Sequence, residues 1–129
     1  MVKAVADQSV SEEIPLKTLE GGWVKLRRMT YGQMMHRQDI AAKMAITSDQ
    51  RSKNVEMNID MAQGVVTQFE FANCIVDHNL EDENGTKLNL SASGDINRLD
   101  PQVGAEISDL IDGMNQLPED MQSGKSPAS

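Results

Sequence analysis

The chain is poor in the residues that most small domains use to close a core or build a reactive centre. It has a single cysteine in 129 residues, Cys74, which excludes an intramolecular disulfide framework and any thiolate metal cage. Only four residues are aromatic (Trp23, Tyr31, Phe69 and Phe71), so the core must be built mainly from aliphatic side chains and methionine. No run approaches the roughly 18 apolar residues of a membrane span, and the segment Met1–Asp7 lacks the apolar stretch of a secretory signal, so a cytosolic protein without membrane contact is expected. Base is scarce after Lys53. Residues 1–53 carry nine Lys/Arg and six Asp/Glu, a net +3, whereas residues 54–129 carry three and fourteen, a net −11. Such a field repels phosphate, so sequence-independent nucleic-acid binding is not expected. The one basic cluster is Lys25, Arg27 and Arg28, which suits either protection of a hairpin edge or docking on an acidic neighbour.

Catalytic and metal-binding arrangements are equally thin. His36 and His78 stand apart, with no HExxH and no cysteine pair, and read as satisfied surface residues; Cys74 reads as a small buried hydrophobe. The turn Asp82-Glu83-Asn84-Gly85 invites a calcium-loop reading that register refutes. With Gly85 at loop position six, Leu80 and Ser91 fall where a carboxylate and a bidentate glutamate are required. There is no nucleophile elbow and no phosphate-binding glycine loop. An enzyme is therefore not expected, and no cofactor or metal is implied.

What the chain does contain is an orderly series of elements. Residues 1–11 lack periodicity and suggest a loose arm. The alternation of Ile14 and Leu16, the Gly21-Gly22 turn and the run Trp23–Arg27 predict a β-hairpin over 13–28, with Pro15 confined to an edge. Thr30 and Gln33 form a capping box opening a first helix over about 31–45. Tyr31, Met34, Met35, Gln38 and Ala42 gather on one of its faces, with Ile40 and Met44 opposite.

A long second helix is predicted over 53–78. Its main stripe, with Val65, Val66, Phe69, Ala72 and Val76, is expected to pack on the core. A second stripe, Met57, Met61, Gly64, Gln68, Phe71 and Ile75, is expected to remain available, and Glu70 is expected on a solvated side. An Asn-Gly turn, a strand-like Thr86–Leu90 and a loop at Ser91–Gly94 follow. Asp100-Pro101 then opens a last helix over 101–115, and residues 118–129 suggest a disordered tail. The whole is an α+β fold, mainly α, with one globular domain over 12–117.

Five of the nine methionines (Met34, Met35, Met44, Met57 and Met61) fall within 28 residues. Methionine adapts to varied helical partners by repacking. Met57, Met61, Gln68, Phe71, Ile75, Met44 and Ile40 are thus the candidate partner-binding residues, for a helical partner or a second copy of the chain. Lys25, Arg27 and Arg28 are candidate docking residues.

The hairpin, the sequence Met29-Thr30-Tyr31-Gly32 at the head of the first helix, the run Ala72–Asn79 closing the second, and Leu99-Asp100-Pro101 before the last helix together resemble the small tail assembly chaperones of long-tailed bacteriophages. The resemblance implies a protein of the infected host cell's cytoplasm that binds the helical tape measure protein and keeps it soluble. It also implies recruitment of tail tube protein and absence from the mature virion. A permanent virion component, such as a head-tail or tail-completion protein, and an acidic inhibitor of a host protein are the competing expectations.

Overall fold

The computed structural model describes residues 1–50 and 55–116. The strand that organises the sheet is β2 (Trp23–Leu26), in which Val24 and Leu26 are fully buried while Trp23 and Lys25 are half-buried. This is the alternation of a strand covered on one face. It pairs antiparallel with β1 (Ile14–Pro15) through Ile14 opposite Val24 and Pro15 opposite Trp23. Pro15 has no amide hydrogen to offer a further strand, and it stands on an outer strand of the sheet. The turn between the strands needs a left-handed residue, supplied by Gly21 at φ +81°, and closes with the Leu16 amide donating to the Gly22 carbonyl at 2.9 Å.

A strand at Ile75–His78 was not expected. The second helix, α2 (Val55–Cys74), ends four residues short of the predicted His78, and Ile75–His78 forms β3 on the other side of β2. His78 lies opposite Val24, Asp77 opposite Lys25 and Ile75 opposite Leu26, with an irregularity between Lys25 and Leu26. The β-branched pair Ile75-Val76 extends easily, and β2 offers it a row of unpaired amides. The Arg27 amide donates to the Cys74 carbonyl at 2.9 Å, so helix and strand meet without a linker.

The first helix, α1 (Tyr31–Gln50), runs five residues beyond the expected Ala45. Its capping box is as predicted: the Gln33 amide donates to Thr30 Oγ1 at 3.1 Å and the Thr30 amide to Gln33 Oε1 at 2.9 Å. A four-residue helix, α3 (Ser93–Ile96), occupies part of the expected Ser91–Gly94 loop. The predicted strand over Thr86–Leu90 is reduced to one bridge between Glu81 and Lys87. Here the Asp82 carboxylate accepts from the Asn84 and Thr86 amides at 2.8 and 3.0 Å, while Leu80 and Leu88 enter the core on either side of the turn.

The last helix, α4 (Pro101–Met114), is capped by Asp100, whose side chain accepts from the Gln102 amide at 2.9 Å. Its Val103, Ile107 and Ile111 are buried with Val24, Leu26, Phe71 and Cys74 in one cluster, joined by Leu16, Leu80, Leu88 and Leu90. The fold is α+β and mainly helical. Among the described residues no helix is long and apolar enough to cross a membrane. The N-terminal segment is tied at two points, by the Ser11 amide to the Leu26 carbonyl at 2.8 Å and by Gln8 Nε2 to the Arg28 carbonyl at 3.1 Å. The expected tail falls outside the described residues.

Candidate functional site

Antiparallel α1 and α2 form a helical hairpin, and polar side chains fix which faces meet. Gln33 Nε2 donates to Asn73 Oδ1 at 3.1 Å, and Arg37 Nη1 donates to Glu70 Oε2 at 2.9 Å. Between them the His36 ring leans on Phe69, centroids 5.1 Å apart and planes at 51°. Residues 33, 36, 37 and 40 therefore form the side of α1 turned to α2, and residues 66, 69, 70 and 73 answer from α2.

This register rotates both helices from their predicted orientation. On α1, the face that carries Tyr31, Met34 and Met35 divides: Met34 packs against the core, whereas Tyr31 and Met35 stand 78% and 51% exposed. Ile40, expected on the opposite, partner-binding side, is half-buried toward α2. On α2, Phe71 was expected on the available stripe but is 1% exposed and belongs to the core with Cys74. Glu70, expected in solvent, is buried. Val65 and Ala72, expected inward, are exposed, and Val76 in β3 is 44% exposed. The physical cause is the polar pairing itself. Periodicity assigns Glu70 to water, whereas the hydrogen bonds of Gln33 with Asn73 and of Arg37 with Glu70 claim the helix–helix seam and turn Phe71 and Cys74 toward α4 and the sheet.

The remaining candidates are dispersed. Gln68 is half-buried, with Nε2 at 3.4 Å from the Ser91 carbonyl, and Ile75 is half-buried in β3 against the core. The side chains of Met44, Met57 and Met61 lie outside the described residues. The basic trio differs in its surroundings. Arg27 Nε donates to the Asn73 carbonyl at 2.8 Å, neutralising the end of α2, while Lys25 is half-buried on β2 and Arg28 is exposed beyond it.

Electrostatics sharpen the picture below the hairpin. Burial pushes the Glu70 carboxyl above its ordinary range against the opposing pull of Arg37. Burial, reinforced by the Glu70 charge, pushes the Cys74 thiol up to about 11, leaving it protonated and unreactive at neutral pH. His78, expected at the surface, is buried. Its Nδ1 accepts from the Leu80 amide at 3.0 Å and its ring bonds the Leu88 backbone, and burial holds it below its ordinary value. A shallow cavity of about 140 Å³ beside it is lined by β3 and residues 87–91. Among the described residues no group of three or more His, Cys, Asp or Glu is placed to hold a metal ion.

On the hairpin, exposed apolar side chains sit on the outer sides: Val65 and Ala72 on the flank of α2 about 140° from the mean direction of Phe71 and Cys74, and Tyr31 and Met35 on the flank of α1 turned from α2. Sequence reasoning missed Arg37, Glu70 and Asn73 as organising residues; the pairing of Gln33 with Arg37 at i, i+4 and of Glu70 with Asn73 at i, i+3 was the available signal. Comparison with known proteins finds no matching family model, curated protein or solved structure.

Proposed function

We propose that the protein is a tail assembly chaperone of a long-tailed bacteriophage, holding apolar helical segments of the tape measure protein against its α1–α2 hairpin. The observation that carries this reading is the exposed apolar flank of α2, where Val65 stands 42% exposed and Ala72 is open one face away from the core. An amphipathic helix laid along such a flank would cover apolar surface that the chain itself leaves in water. Tyr31 and Met35 add a second flank on α1, and the tolerance of methionine for varied neighbours suits a client with many similar, non-identical helical faces. The net charge of −8 would keep the coated complex dispersed by mutual repulsion.

Co-expression with the long helical protein of the same genome tests the reading. The expected result is a complex that co-purifies and is lost with Val65→Lys plus Ala72→Lys, in a variant whose circular dichroism and unfolding midpoint match the parent. The protein should be missing from purified particles. Stoichiometric presence in virions would replace this reading with a permanent structural role.

A further inference from the structure

The end of α4 and the head of α1 are tied together. Asn115, which follows the last turn of α4, accepts the Met29 amide on Oδ1 at 2.8 Å and donates from Nδ2 to the Ile111 carbonyl at 2.8 Å; both Asn115 and Met29 are buried. Three residues earlier, Asp112 Oδ1 lies 3.9 Å from Arg37 Nη1 on α1. The chain therefore leaves α4 beside the stretch Arg28–Tyr31. A cation and two apolar side chains are exposed there. Arg28 forms no ion pair among the described residues, and Asp7 feels its charge only at longer range. Tyr31 and Met35, about one turn apart, stand open on the outer side of α1, whose first turn carries no acidic residue.

The residues that follow in sequence, Leu117-Pro118-Glu119-Asp120-Met121, set two carboxylates between apolar side chains. We propose that this segment docks on the head of α1, with Leu117 and Met121 covering Tyr31 and Met35 and with Glu119 and Asp120 answering Arg28. Charge selects the place. Residues 54–129 carry a net −11, so most of that half repels the two carboxylates, whereas Arg28 belongs to the basic first part of the chain. Reach permits the contact: at no more than about 3.5 Å per residue, Leu117 lies within about 7 Å of Asn115 and Met121 within about 21 Å. Tyr31 follows Met29 directly after Thr30, and Met35 stands one turn further along α1. A segment tethered this closely acts at an effective concentration in the mM range, so a contact too weak to hold a separate peptide is populated within one chain. The contact belongs to the free protein. It goes beyond the proposed escort role, leaves the Val65 and Ala72 flank of α2 clear, and holds or fails without reference to any client.

Nuclear Overhauser spectra of the full chain, with labelled leucine, isoleucine and methionine methyl groups, test the contact directly. The Tyr31 ring and the Met35 methyl should show cross-peaks to Leu117 and Met121 whose relative intensity is unchanged on dilution. Glu119→Lys with Asp120→Lys should weaken them by about two- to fivefold, as expected for exposed charge pairs, and Arg28→Glu should do the same. Combining all three substitutions restores opposite charges and should bring the cross-peaks back. Rising salt should weaken them in the parent. The methyl shifts of Leu26 and Ile107, in the core, should stay fixed in every variant, showing that the fold is kept. Absence of these cross-peaks in the parent would overturn the proposal. So would charge variants that leave them unchanged, or cross-peaks that fade on dilution, which would assign the segment to a second copy of the chain.

Discussion

Two neighbouring residues on α2, Glu70 and Phe71, show how much depends on a single step around a helix. Phe71 is among the largest fully buried side chains, so Phe71→Ala should lower the unfolding free energy by about 3–5 kcal/mol in urea titrations. Val65→Lys, on the exposed flank, should change it by less than about 0.5 kcal/mol. His78 supplies a pH test at the same scale. Its folded value is depressed below the 6.5 of the free side chain, so as pH falls below 6.5 the unfolded chain takes the proton first and stability is lost. Unfolding midpoints measured across that range should fall with acid in the parent, and the part of the slope due to His78 should disappear in His78→Gln. A buried histidine was not legible in the sequence, because nothing local announces that the Leu80 amide and the Leu88 backbone will receive its ring.

The elements with strong local chemistry were read correctly from the residues alone. The Gly21-Gly22 turn, the Thr30–Gln33 box and the Asp100-Pro101 cap each satisfy backbone groups within a few residues, so the sequence carries the whole cause. Asp100→Ala should accordingly weaken α4 and lower stability by about 1 kcal/mol, measurable as a shifted midpoint without loss of the sheet. The end of α2 is the opposite case. Ile75–His78 continues a helical pattern in sequence and becomes a strand only because β2 lies beside it, a partner about fifty residues earlier in the chain. The rotated faces of α1 and α2 have the same origin. Arg37 and Glu70 are 33 positions apart, so no local window could show that they neutralise each other across the seam.

Across the whole molecule, acidic charge and exposed apolar side chains serve different ends. Arg27 is engaged with the Asn73 carbonyl at the end of α2, while the apolar flanks of the hairpin stay open. Capture of a helical client should therefore survive added salt, which screens exposed charges but strengthens apolar burial. A pull-down performed at rising ionic strength separates the two cases: retention supports apolar docking, and steady loss points to an acidic or basic partner held by charge.

The direct junction of α2 and β3 carries one further consequence. Because the Cys74 carbonyl already receives the Arg27 amide, no slack separates the rod from the sheet, and the two are geared. One residue inserted after Cys74 would advance the helix by about 100° relative to the strand, or reverse the strand's inward and outward sides. The length of the chain between α2 and the sheet is therefore fixed to the residue.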